Sequence, residues 1–313
     1  MVTMLVDVST ASIVVPREDQ IACHADLHAL LCRLEIDSSL FQPGQLRERL
    51  IALDDLDAGF GGFDCESFTR CAHAHLHERE KSLRMRLEAA NVELYQSVRS
   101  DIVRGGRPGA LLQWLKDSVS DSEPGSPEVG LGFDYRDELV SGVLQLTEPS
   151  DPNLQLSPEM VPYQPTPVRH VLHLIATAAV AEDDVFVDLG SGLGHVPLLV
   201  SMMTGARSLG VEIEAAYVAS ARRCAESLRL SHVQFIAQDA RDADLSRGTV
   251  FYLYSPFKGS ILDEVLSALR RESLRRPIKI CSLGPCTRRV SNERWLKASG
   301  LSDAGRIAVF ESL

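Results

Sequence analysis

The chain has 313 residues, 45% of them apolar, and a formal net charge of −11. That length is ample for a core and points to two domains; no run of 18 apolar residues offers a transmembrane helix, and the start lacks the basic and apolar regions of a signal peptide. Seven cysteines stand without a paired or clustered framework, which is the usage of reduced thiols in the cytoplasm rather than of a disulfide scaffold. Residues 1–150 hold 14 Lys+Arg against 25 Asp+Glu, whereas residues 151–313 hold 18 of each. No basic stripe for nucleic acid is present. An acidic N-terminal half can steer a basic protein partner, although a solvated surface is the plainer reading.

In chain order, residues 1 to about 16 read as a β-rich or loose start. From Arg17 to Leu115 apolar residues recur at helical spacing, as in Leu27, Leu30, Leu31 and Leu34, then Leu83, Leu87, Val92, Leu94 and Tyr95. Pro43-Gly44 and Gly59-Phe60-Gly61-Gly62 break this region into three to five helices. Within it, His73 and His77 share a helix face at i, i+4, but no third ligand stands at a diagnostic spacing. Solvated or packed imidazoles are therefore expected, and no metal. Asp117 to Gly132 reads as a linker, Phe133 to Leu146 as one more helix, and Glu148 to Ser157 as a Pro-rich connection. The expected organisation is a helical domain over 1–116, a linker with a connecting helix over 117–160, and a cofactor domain over 161–313. The helical domain has the place of a lid, a substrate selector or a homodimer interface.

The cofactor domain opens with Met160-Val161-Pro162-Tyr163-Gln164-Pro165-Thr166-Pro167 and a helix from Val168 to Ala181. An apolar strand, Val185-Phe186-Val187-Asp188-Leu189, then enters Gly190-Ser191-Gly192-Leu193-Gly194-His195. A loop so poor in Cβ atoms lets the backbone approach a ligand and adopt positive φ, and the helix behind it aims free N–H groups at the same place. A dinucleotide site would need G-x-G-x-x-G; His195 occupies the position of that third glycine. Three further strands end in special residues: Ser208 to Glu212, whose acid falls 24 residues after Asp188; Val233 to Ala237, leading to Gln238-Asp239-Ala240; and Thr249 to Leu253, opening into Tyr254-Ser255-Pro256-Phe257. Open α/β sheets bind ligands outside the carboxyl ends of their strands. Downstream, a helix from Ser260 to about Arg271, a strand at Ile278–Ser282, a short helix from Asn292 to Ala298 and a terminal, antiparallel strand at Arg306–Phe310 complete the domain. The usual sixth strand gives no signal. The fold class is α/β: a doubly wound, mostly parallel Rossmann-like sheet with an N-terminal all-helical domain.

The pattern D-x-G-x-G-x-G after a strand resembles motif I of the class I S-adenosylmethionine (SAM) methyltransferases. Together with Tyr163-Gln164-Pro165-Thr166-Pro167 and Gly210-Val211-Glu212, it is similar to the Dot1-like protein lysine methyltransferases and their prokaryotic and mitochondrial relatives over about residues 160–260. The resemblance implies SAM as cofactor. Tyr163 and Thr166 would lie over its methionine end, while Asp188, Gly190, Ser191, Gly192 and Gly194 would line the amino-acid part. Glu212 would hold the ribose, and Asp239 with the amide of Ala240 the adenine.

Tyr254, Ser255, Pro256 and Phe257 are the candidate catalytic residues, with Tyr254 hydrogen-bonding the acceptor, Pro256 stiffening the loop and Phe257 packing beside it. Amine methyltransferases often carry a carboxamide or carboxylate at the first place of this segment; here it is Tyr254. The expected reaction is methyl transfer to nitrogen on a protein lysine. A small-molecule O- or N-acceptor under a helical lid is the alternative, and a non-catalytic SAM-binding regulator the second. His195 is expected to touch the cofactor or to cap its helix.

Overall fold

Seven strands build one sheet in the order β3-β2-β1-β4-β5-β7-β6. The computed structural model describes residues 17–60, 72–105, 111, 115, 132–149 and 157–313. The loose start at 1–16, the Gly61-Gly62 break, Cys71, and the linker but for Gly132 lie outside the described residues, as do 150–156 of the Pro-rich connection. Two compact units divide at Glu93/Leu94.

The N-terminal unit contains α1 (Arg17–Ile36), two short 3-10 turns, α2 (Leu46–Phe60) and the first part of α3 (Ala72–Val103). Leu27, Leu31, Leu34, Leu56, Leu83 and Leu87 form its core, in agreement with the helical spacing. Val92 lies in the same helix with its side chain 50% exposed, whereas Leu94 and Tyr95 are buried. Arg49 is fully buried and its guanidinium donates to Asn91 Oδ1 (2.5 Å) and to the carbonyls of Leu40 (2.9 Å) and Gln42 (2.6 Å). It thereby gives the Leu40 carbonyl a donor and adds a second one to the Gln42 carbonyl, which also accepts from the Gln45 amide (3.1 Å). The side chain of His73 lies outside the described residues; the His77 ring packs edge-on against Phe60, 5.4 Å between centroids. Among the described residues no group of His, Cys, Asp and Glu is placed to hold a metal, and no helix is long and apolar enough to cross a membrane.

The C-terminal unit has α4 (Tyr135–Leu144), α5 (Val168–Ala178), β1 (Val185–Leu189), α6 (His195–Thr204), β2 (Arg207–Glu212), α7 (Ala215–Ser227), β3 (Val233–Ala237), β4 (Val250–Tyr254), α8 (Gly259–Ser273), β5 (Lys279–Leu283), α9 (Cys286–Ser291), β6 (Leu296–Ala298) and β7 (Ala308–Ser312). β1 to β5 pair in parallel, and β7 is antiparallel to both β5 and β6. The central strands are buried on both faces, which is why they read as continuous apolar runs. On one face Val187, Leu189, Phe251, Leu253 and Ile280 pack with Ile261, Val265, Leu266 and Leu269 of α8. The expected short helix at Asn292–Ala298 is corrected: the helix is α9, six residues earlier, and Leu296–Ala298 is the sixth strand. It spans only three residues, two of them exposed, too few to show a period-2 alternation. At the opposite edge, Arg222 of α7 donates twice to the Phe235 carbonyl of β3, at 2.9 and 2.6 Å.

Candidate active site

β1 neighbours β2 on one side and β4 on the other, and the order reverses there. At the carboxyl ends of these strands lies a cavity of about 960 Å³, the crevice expected of such a switch point. In register, Asp188 stands between Gly210 and Tyr252. Its carboxyl is buried, and burial followed by the nearby charge of Glu212 raises its pKa well above the ordinary carboxylate value.

The loop after β1 turns through Gly190, Gly192 and Gly194, all at positive φ (87°, 52° and 83°). The missing Cβ atoms are used as well as the torsions. A Cβ on Gly190 would meet Pro256 at 2.3 Å, and one on Gly192 would meet the Tyr163 ring at 2.1 Å. The glycine loop is thus clasped between the entry segment and the loop after β4. Glu212, at the end of β2, accepts from the Gly192 amide (2.8 Å) and from the Glu214 amide (2.9 Å), so it braces the same loop.

The entry segment is fixed from below. Thr166 Oγ1 hydrogen-bonds the Tyr252 hydroxyl at 3.1 Å, and its carbonyl accepts from His195 Nε2 at 2.9 Å. His195 is buried, and burial lowers its pKa. A carbonyl only accepts, so Nε2 carries the proton and Nδ1 is a lone pair. The expected cap is replaced by this clamp: α6 has no side-chain cap, and His195 is its first residue.

Just before Tyr163 the chain forms a strap across the cavity. Met160 and Phe257 form an antiparallel bridge. The Val161 amide donates to the Pro256 carbonyl (3.0 Å) and the Lys258 amide to the Glu159 carbonyl (2.8 Å). The Glu159 carboxylate accepts from Ser260 Oγ (2.7 Å) and the Ile261 amide (3.1 Å), which caps α8 from outside the helix.

The candidate residues after β4 fall into two kinds. Tyr254 lines the cavity with a buried hydroxyl that has no partner among the described residues, and burial raises its pKa. Ser255 turns the chain at φ 44°; its hydroxyl donates to the Leu283 carbonyl (3.0 Å) and accepts from the Cys286 amide (3.0 Å). Pro256 packs on Gly190, and Phe257 is buried in the α8 cluster. Asp239 and Ala240 lie at the end of β3 and line the same cavity. Asp239 is held by Arg241 through its backbone N–H (2.9 Å), Nε (3.0 Å) and Nη2 (2.8 Å), and this lowers its pKa.

All fourteen sequence-predicted positions lie on this unit and twelve of them line one crevice; Gly192 and Gly194 do not, since Gly192 lies against the Tyr163 ring and Gly194 against Phe235 and Ala221. Tyr217 was not anticipated. It faces the cavity from the first turn of α7 and packs against Tyr163, 5.3 Å between centroids. The available signal was an aromatic residue five positions after Glu212, in the helix that must pass over the β2 end. Arg241 and Glu159 were also missed, because neither belongs to a strand-end pattern.

SAM fits these residues. The buried Ser191 Oγ, His195 Nδ1 and Tyr254 hydroxyl have no partners among the described residues and all three residues line the cavity. Buried polar groups are normally satisfied, so the crevice is built for a polar ligand, and Asp188 suits a cationic part of it.

Residues 161–251 match the family described as "Histone methylation protein DOT1". No curated protein sequence matches the chain. Among solved structures the chain is similar to an RNA methyltransferase from Salinibacter ruber in complex with S-adenosyl-L-homocysteine, at 28% identity over 48% of this chain and 92% of that one, TM-score 0.38. It is also similar to the putative methyltransferase yhhF from Escherichia coli (16% identity, 46% of this chain and 86% of that one, TM-score 0.39). A third is the Pyrococcus abyssi tRNA (uracil-54, C5)-methyltransferase in complex with S-adenosyl-L-homocysteine (16% identity, 48% and 40%, TM-score 0.38). The family match runs from the strap to β4 and takes in the entry segment, the glycine loop and the ends of β2 and β3; over those residues the chain is similar to that family.

Proposed function

We propose that the protein transfers a methyl group from SAM to a nitrogen acceptor, a protein lysine side chain. The observation that carries this reading is the unpartnered Tyr254 hydroxyl in the same cavity as Asp188, beside the apolar surfaces of Pro256, Phe257, Ile261 and Leu262. The family described as a histone methylation protein supports the lysine.

Bound SAM supplies a methyl group on a positively charged sulfur, open to in-line displacement. The chain's part is alignment and exclusion of water. In this reading Asp188 pairs the cofactor's ammonium and Gly190 and Ser191 let its amino-acid part lie against the backbone, while Gly192 and Gly194 give the loop its turn. Tyr163 and Thr166 cover the methionine end, Glu212 holds the ribose, and Asp239 with Ala240 the adenine. The apolar wall favours an uncharged amine over an ammonium, so the acceptor nitrogen presents its lone pair. The Tyr254 oxygen accepts from an amine N–H and orients that lone pair, and Ser255 holds Tyr254 in place through Leu283 and Cys286. An amine that arrives neutral needs no general base; a hydroxyl acceptor needs one.

Labelling a native lysate with methyl-labelled SAM and separating protein from small molecules tests the acceptor. Label on lysine in a discrete protein band is expected. Label confined to small molecules overturns the protein acceptor and favours the small-molecule reading, which the absence of a carboxamide at Tyr254-Ser255 already permits. With the labelled substrate in hand, Tyr254→Phe is expected to lower turnover roughly five- to tenfold, the worth of about 1 kcal/mol of hydrogen bonding, with SAM affinity unchanged. Equal turnover would assign Tyr254 to packing.

A further inference from the structure

A carboxylate offers about four acceptor sites, and three of those on Asp239 are taken by one residue. Oδ1 accepts both the backbone N–H and Nε of Arg241, at 2.9 and 3.0 Å, and Oδ2 accepts Nη2 at 2.8 Å. One site remains, on Oδ2. The guanidinium fork fixes the plane of the carboxylate, which a lysine ammonium cannot do. Arg241 is itself steadied by Glu264 of α8 at 3.8 Å, and Asp242 adds a further acidic charge beside it.

We infer that Arg241 is a positioning residue that makes the cofactor site selective for a 6-amino purine, by leaving Asp239 a single acceptor lone pair for one N–H donor. A 6-oxo purine would set its carbonyl oxygen against that lone pair, acceptor against acceptor. The inference rests on the assignment of the adenine to Asp239. Without Arg241 the carboxylate can rotate, and it can also take up a proton and donate to a 6-oxo group. The ion pair keeps the Asp239 carboxyl below its ordinary pKa, so the selectivity of the wild type persists to lower pH than that of a variant lacking the guanidinium.

The test is calorimetric titration of the full chain with S-adenosylhomocysteine and with S-inosylhomocysteine, which needs no knowledge of the methyl acceptor. Wild type is expected to prefer the adenosyl compound by about a hundredfold, since a site built around a hydrogen bond rejects a ligand that cannot make it. Arg241→Gln should reduce that ratio at least tenfold, with a steeper decline on acidification, and Arg241→Lys should not restore it. Asp239→Asn, whose carboxamide can donate, should reverse the preference. An unchanged ratio and pH profile in Arg241→Gln, with reversal in Asp239→Asn, overturns the role of Arg241 and leaves the adenine assignment standing. An unchanged ratio in a folded Asp239→Asn removes the adenine assignment and this inference with it. Wild type that binds neither compound contradicts the cofactor itself.

Discussion

In the proposed reading, Asp188 joins the cofactor's charge to solution pH. Burial and the neighbouring Glu212 raise its carboxyl pKa, so the folded chain without cofactor holds a proton there over a range in which the unfolded chain has released it. The sign follows from linkage: this group's contribution to stability falls as pH rises from the ordinary carboxylate value to the raised one. A bound ammonium reverses the balance by favouring the ionised form. S-adenosylhomocysteine, which retains that ammonium, should therefore bind more tightly as pH rises through the same window, releasing a proton below its upper end. Titration calorimetry in buffers of different ionisation enthalpy measures both effects. Asp188→Asn is expected to weaken binding and flatten the slope; a slope retained in that variant would place the linked proton elsewhere. Asp188 was legible from its strand-end position before the glycines, whereas the proton is a property of burial beside Glu212 and has no sequence signature.

At the level of elements, the crevice is made by segments that hold one another. Glu159 in the strap caps α8 through Ser260 and Ile261, and the strap in turn pairs with the loop after β4. Glu159→Ala should free both ends of this clasp. Loss of a helix cap in a unit of this size lowers Tm by roughly 2–4 °C, and the acceptor KM should rise more than the affinity for S-adenosylhomocysteine falls. An unchanged KM with a lowered Tm would make Glu159 a helix cap only. These contacts also mark how far the sequence carries. β1 to β5 were readable to within a residue at their ends, because the central strands β1, β4 and β5 are mostly apolar and buried. β6 and α9 are too short to show a period, and the Glu159 cap joins residues 101 and 102 positions apart, beyond any local motif. Val92 is helical as its spacing indicates but exposed, since helical spacing does not settle which face an apolar residue takes.

For the molecule as a whole, the residues that line the crevice all lie in the unit Leu94–Leu313. A ligand that binds only the folded state stabilises it by mass action, by about 2.7 kcal/mol at a hundred times Kd. For a unit of that length the rise in Tm is roughly 5–10 °C. Calorimetric scans with and without S-adenosylhomocysteine should show this shift in the transition that melts the sheet; a coincident trace at saturating ligand would mean that the crevice does not bind it. The glycine cradle and acid spacing announced such a ligand from sequence alone. The division at Glu93/Leu94 inside α3 did not announce itself, since a helix that crosses a boundary carries no Pro or Gly to mark it.

Arg222 has a consequence for behaviour at high concentration. An edge strand presents unpaired backbone groups that can recruit another chain's strand and start an aggregate. On β3 the Phe235 carbonyl is occupied by the Arg222 guanidinium, and a positive charge stands over the edge. The far edge is β6, three residues long, too short to template a ladder. The two ends of the sheet are therefore protected by different means: one by a side chain that any neutral substitution would remove, the other by brevity. Crowding during synthesis thus bears on the β3 edge, where among the described residues Arg222 is the side chain that occupies the Phe235 carbonyl.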